Sequence, residues 1–126
     1  MASYVITKNA KGKYQFVLEA KPGNEVVTSQ LYMARKGALK GIRAIGKAAG
    51  KAQVEDDTKK DAVKLPIPKF VLYKTKDGKF VFEYVANNGK GVVTSKKYAT
   101  AAKAKEGIKF VKANAKAKYN KYTIEI

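Results

Sequence analysis

The sequence predicts an α+β domain built from two tandem βββαβ units related by a pseudo-twofold axis. Three observations predict it. The stretch VVTSQLY at 26–32 returns as VVTSKKY at 92–98, and a shift of 66 residues aligns the chain with itself without a gap from Tyr4/Phe70 to Ala49/Ala115. Each half opens with short segments of alternating polarity, the period of a half-buried strand. Each half then changes to apolar residues three and four apart, the period of an amphipathic helix. Two copies are too few for a solenoid, so a closed pair is expected. At 126 residues the chain is expected to form a single domain, with unit 1 at 1–67, including a charged loop at 51–61, and unit 2 at 68–126.

The elements follow in order. YVITKN (4–9) and FVLYKT (70–75) read as first strands, followed by NAKGK and TKDGK with Gly12 and Gly78 at hairpin positions. KYQFVLEA places Tyr14, Phe16 and Leu18 on one face, and KFVFEYVA does the same with Phe80, Phe82 and Tyr84. Pro22-Gly23 signals a type II turn, and NNGKG takes its place in the second half. VVTS is the third strand of each meander. Ala38, Ile42, Ile45 and Ala49 form the apolar stripe of the first helix; Ala101, Ala104, Ile108, Val111 and Ala115 form that of the second, with Thr100 as its N-cap. Gly41 and Gly107 lie beside these stripes. A helix-interior glycine costs about 1 kcal/mol relative to alanine. Its presence in both copies predicts a close approach of helix to sheet. A last strand is expected at AVKLPI (62–67) in unit 1 and at YTIEI (122–126) in unit 2, where deletion should cost several kcal/mol through lost burial of Tyr122, Ile124 and Ile126.

The run of strand, VVTS, two residues, Tyr and then a helix carrying Gly-Ile, present at 26–42 and 92–108, resembles the YegP-like family of small bacterial proteins. The resemblance covers nearly the whole chain. It implies that the two units share one sheet and that the last strand of each is swapped into the other. The fold expected is therefore one pseudo-twofold antiparallel sheet with two helices on one face. The resemblance implies no reaction, because the family carries no established activity.

Composition removes most catalytic chemistry. With no His and no Cys, neither a Ser-His-Asp nor a Cys-His site can be assembled. A zinc site would have to be made of carboxylates alone, and these are sparse. Glu55, Asp56, Asp57 and Asp61 form the one acidic cluster; it lacks the glycine and terminal glutamate of a calcium loop and reads as solvated charge paired with Lys59 and Lys60. Gly89-Lys90-Gly91 before Thr94-Ser95 has the wrong spacing for a phosphate loop and reads as a turn. VVTS reads as structural. No catalytic, cofactor or metal residue is expected, and the protein is expected not to be an enzyme. The chain shows no signal peptide and no apolar run long enough to span a membrane, so a soluble cytoplasmic protein is expected, in the nucleoid if its partner is DNA.

Charge is the strongest compositional signal. There are 27 Lys and Arg against 10 Asp and Glu, a net charge of +17, and the excess divides almost equally between the two halves. A surface basic throughout suits a polyanionic partner. On a helical wheel Lys36, Lys40, Arg43 and Lys47 form one stripe; Lys105, Lys109, Lys112 and Lys116 repeat its spacing. Single-sign stripes forgo the i,i+4 pairs that stabilise an ordinary solvated helix. Lysine outnumbers arginine 25 to 2, which suits phosphate contact rather than base-edge reading. These eight residues are the expected nucleic-acid site, for DNA or RNA, with little sequence specificity and with the two stripes acting alike. The alternative is a protein-interaction or structural module whose charge serves solubility or an acidic protein partner. A homodimer formed through the second sheet face, with Val17, Val81 and Val85, belongs to that alternative.

Overall fold

The computed structural model describes residues 2–87, 89, 91–120 and 123–125. Strands β1 (Ser3–Lys8), β2 (Tyr14–Glu19) and β3 (Glu25–Ser29) form the first meander, followed by helix α1 (Arg35–Ala48), a 3₁₀ turn (Ala49–Lys51) and β4 (Gln53–Asp56). Strands β5 (Lys69–Lys74), β6 (Phe80–Val85) and β7 (Gly91–Ser95) form the second, followed by α2 (Ala101–Ala113), β8 (Lys118–Tyr119) and β9 (Ile124–Glu125). The turns close as their residues require. Gly12 and Gly78 adopt φ of 79° and 81°, a region open to glycine at no steric cost, and Thr100 Oγ1 accepts from the Lys103 N–H at the start of α2.

All strands join one sheet in the order β4-β5-β6-β7-β3-β2-β1-β8, with β9 also on β1. The meanders are antiparallel and meet at β3 and β7. The outer pairings are parallel: β4 follows α1 yet pairs with β5, while β8 and β9 follow α2 yet pair with β1. The sheet is therefore mixed rather than antiparallel. Parallel neighbours cannot be joined by a tight hairpin: β4 reaches β5 through the long segment 57–68, and β8 and β9 are separated from β1 by most of the chain, so strand polarity alone does not reveal these pairings.

The register determines which side is covered. Tyr4 pairs with Leu18, Leu18 with Val27, Val27 with Ser95, Val93 with Tyr84, and Tyr84 with Phe70. All six of the large side chains in this chain of pairs that lie nearest the helices are buried, together with Ile6, Phe16, Leu72 and Phe82. Both helices close this face through Ala38, Ile42 and Ile45 of α1 and Ala104, Ile108 and Val111 of α2. The Tyr4 hydroxyl, pushed well above its usual value by burial, donates to the Ala115 carbonyl at 2.7 Å and ties the first strand to the end of α2.

VVTSxxY has a local cause. Pairing runs Val17 with Thr28 but Tyr14 with Tyr32, so β3 carries one extra residue against β2. The Phe16 N–H loses its carbonyl partner there, and Ser29 Oγ accepts it at 2.9 Å while donating to the Gln30 carbonyl at 2.7 Å. Ser95 does the same for Phe82, at 3.0 and 2.7 Å. Tyr32 and Tyr98 then re-pair with Tyr14 and Phe80 and stack on Phe16 and Phe82. A buried N–H left unpaired costs about 1–3 kcal/mol. Ser29→Ala and Ser95→Ala are each expected to lose about 2 kcal/mol in urea unfolding, whereas Thr94→Ala, on the exposed side of β7, is expected to change stability little.

Two expectations about last strands are corrected. Residues 62–67 form no strand, and the strand of that half is β4, inside the segment read as a charged loop. Its acids misled the reading because Glu55 is buried with its own counter-charges. At the other end YTIEI does supply a strand, β9, which pairs with β1, but Ile124 is 50% exposed rather than buried; Tyr122 and Ile126 lie outside the described residues. That edge is also held by Asn120, whose side-chain Oδ1 accepts from the Ile6 N–H at 2.7 Å.

Candidate nucleic-acid interface

Helical periodicity brings the cations together. Lys36, Lys40, Arg43 and Lys47 lie on α1 and are exposed, and none has a carboxylate within 4.0 Å among the described residues. Lys105, Lys109 and Lys112 lie on α2; Lys116 lies beyond its C-terminus, in the turn that follows Asn114. The helix stops there because Asn114 leaves helical geometry and its side-chain amide donates back to the Phe110 carbonyl. The two helices meet at their C-terminal ends. A side chain at Gly46 would sit 3.3 Å from the Ala115 carbonyl oxygen and 3.9 Å from Lys116 Cγ, and one at Gly50 would sit 3.6 Å from the Lys112 carbonyl. The C-terminal end of the first basic helix thus lies against the end of the second, beside Lys112 and Lys116. Cations at helix C-termini are also favoured by the helix dipole, which lowers the cost of gathering them.

Other lysines have structural partners. Lys8, Lys74 and Lys96 lie over the rings of Tyr14, Phe80 and Tyr98 at 5.6–5.9 Å, and Lys97 pairs with Asp77. Among the described residues Lys36, Lys40, Arg43 and Lys47 have neither kind of partner.

The stripes are not equivalent, contrary to the sequence reading. The repeat offset is 66, and it aligns Lys105, Lys109, Lys112 and Lys116 with Leu39, Arg43, Gly46 and Gly50. The α2 stripe is therefore displaced by three residues, a rotation of about 60° around the helix. Leu39 packs against the core where Lys105 instead faces β4. As a result, Lys105, Lys109 and Lys112 line a groove of about 440 Å³ between α2 and β4, with Val54, Ile108 and Gly50. A second hollow of about 350 Å³ shares Val54, Lys105 and Ile108 and adds Asp56 and Lys59. This groove and the role of Lys59 were missed; the three-residue mismatch between stripe and repeat was the signal for them.

The acidic cluster is corrected too: it pairs with Lys64, Lys69 and Lys105 rather than with Lys59 and Lys60. Glu55 is 2% exposed, with Lys69 Nζ at 2.7 Å, the Leu65 N–H at 2.7 Å and Lys64 Nζ at 3.6 Å. The Lys69 hydrogen bond, then the Leu65 N–H, hold its carboxyl down at about 2, against the opposing effect of burial. Asp56 lies 3.5 Å from Lys105; burial pushes it up, but hydrogen bonds from the Thr58 hydroxyl and N–H, with the Lys105 charge, leave it below its usual value. Glu55 stabilises the fold in its charged form, so its contribution is complete above the ordinary value of 4.5 and is lost as pH falls towards about 2. Glu55→Gln is expected to cost about 2 kcal/mol at pH 7, by leaving the largely buried Lys69 ammonium without its carboxylate. In urea titrations the gap between variant and wild type should close across that acid window.

Among the described residues no cluster of His, Cys, Asp and Glu could hold a metal ion, and no helix is long and apolar enough to cross a membrane.

An α+β chain with one mixed sheet and two basic helices defines the class, and comparison with known proteins supplies the family. The chain belongs to the family described as "Domain of unknown function (DUF1508)", which matches it twice, at residues 9–56 and 75–121. It is similar to the UPF0339 protein YegP of Escherichia coli, 32% identical over 111 residues that cover 88% of this chain and 87% of the relative. A UPF0339 protein of Shewanella oneidensis is 29% identical over 113 residues, covering 90% and 89%. The solution structure of the E. coli protein of unknown function yegP superposes with a TM-score of 0.74 at 25% identity, over 98% of this chain and 91% of that one.

Proposed function

We propose that this protein binds nucleic acid electrostatically, without catalysis and with little sequence preference, through the basic faces of α1 and α2. The observation that carries the proposal is the α1 stripe: four cations on consecutive turns, with no carboxylate beside them among the described residues, on a helix whose C-terminal end lies against that of a second basic helix. Phosphate oxygens are the partner such a surface lacks. The cytoplasm, and the nucleoid if the polymer is DNA, is the compartment proposed. For the architecture we propose a duplicated βββαβ unit with a pseudo-twofold axis between β3 and β7 and the final strands exchanged. The two-fold family match and the reciprocal pairing of β4 with β5 and of β8 and β9 with β1 support this.

The alternative of a protein-interaction face on the open side of the sheet has less to present. Val17 and Val81 point that way but are buried among their own neighbours, and Val85 is half-buried. The first test is inexpensive. Protein purified at low salt should carry a nucleic-acid absorbance that is removed by high salt. A concentration-dependent dimer free of nucleic acid would favour the alternative.

A further inference from the structure

The groove between α2 and β4 is not a plain cationic surface. Its rim is basic, with Lys105, Lys109 and Lys112 from the helix and Lys59 from the loop after β4. Its floor is apolar: Ile108 is buried, and Val54 on the edge strand leaves 36% of its surface open. Asp56, the one carboxylate lining the adjoining hollow among the described residues, is engaged by Lys105 at 3.5 Å. A ligand that satisfies both parts must bring negative charge and a flat apolar body together. At about 440 Å³ the groove falls in the size range of small-molecule sites, ample for one planar base.

Duplex nucleic acid cannot offer that combination, because the flat faces of its bases are stacked inside and only their edges are open in the grooves. A single strand can, since its bases turn out of the stack while its backbone follows a basic groove. Resting on the phosphate-binding reading above, we infer that the α2–β4 groove seats an unpaired base, so that the protein prefers single-stranded nucleic acid to duplex. Charge complementarity selects this occupant over an uncharged apolar partner. The α1 stripe has Leu39 packed against the core at the position matching Lys105 and serves as a phosphate contact alone.

The test is fluorescence anisotropy at about 50 mM salt with a labelled single strand of about 15 nucleotides, its duplex, and an abasic strand of equal charge. The single strand is expected to bind about tenfold more tightly than duplex, and the abasic strand to lose that advantage. Val54→Gln should lower single-strand affinity by a similar factor while leaving duplex affinity and salt dependence unchanged; the abasic strand probes the same contact on the unaltered protein. Equal binding of strand and duplex, equal binding of the abasic strand, or an unaffected Val54→Gln would each overturn the inference. If duplex binds through the lysines with no single-strand preference, this inference falls and the phosphate reading stands. If no nucleic acid binds, both fall. Phosphatidylserine vesicles that bind through Val54, with no strand preference, would assign the groove to lipid and likewise overturn it.

Discussion

Gly41→Ala and Gly107→Ala are each expected to destabilise the protein by about 3 kcal/mol, lowering the melting temperature by about 10 °C. Helix propensity alone predicts the opposite sign, a gain of about 1 kcal/mol per substitution. Packing reverses it. A methyl at position 41 would sit 2.4 Å from Tyr32 Oη and 2.9 Å from Phe16 Cε2, and one at 107 would sit 2.5 Å from Tyr98 Oη and 2.8 Å from Phe82 Cε2. These rings are not free to retreat, since Tyr32 and Tyr98 stack on Phe16 and Phe82 over the core. The helix would have to lift away from the sheet. Removing the nearest atom with Tyr32→Phe should restore part of the loss in Gly41→Ala, because Phe16 Cε2 remains. Gly50→Ala is the control: its nearest neighbour is the Lys112 carbonyl at 3.6 Å, an ordinary contact. A Gly41→Ala protein as stable as wild type would contradict the packing described for α1.

Changing Lys36, Lys40, Arg43 and Lys47 to Gln is expected to weaken nucleic-acid binding by a hundredfold or more at about 50 mM salt. Each lost contact with duplex DNA removes about 0.9 from the slope of log K against log salt, so four lost contacts flatten it by up to about 3.6. The effect should be the same for every sequence, because phosphate contacts carry no base information. The corresponding change at Lys105, Lys109, Lys112 and Lys116 should weaken duplex similarly and single strands further, since it also strips the groove. Stability should stay within about 0.5 kcal/mol for the α1 variant, whose four side chains are exposed and have no ion pair among the described residues. Loss of Lys105 removes the partner of Asp56 and makes the α2 variant the less stable of the two.

Much of this fold was legible because its signals are local. The alternation of Tyr14, Phe16 and Leu18, the helical spacing of Ala38, Ile42 and Ile45, and the matched Gly41 and Gly107 each report a face or a contact within one element or its neighbour. What was not legible depends on partners distant in sequence. β4 was read as solvated loop because the acids of QVED suggest water; Lys69 and the Leu65 N–H, which neutralise Glu55, come from beyond the loop. The parallel pairing of β8 with β1 joins residues more than a hundred positions apart. YTIEI alternates and does pair with β1 through Ile124 and Glu125, yet Ile124 is half exposed and the side chain of Asn120 also holds that edge. In the candidate site the lysines themselves were visible. The groove was not, because it needs Val54 of β4 opposite Ile108 of α2, and Lys116 was assigned to a helix that Asn114 has already ended.

The most direct test of the central claim is the affinity of the wild-type protein for mixed-sequence DNA and RNA measured across a salt series. Electrostatic binding through the two stripes predicts a straight line of log K against log salt with a slope of about −4 to −7 on duplex, nearly independent of sequence. Undetectable binding at low salt, or an affinity that does not change with salt, would contradict it.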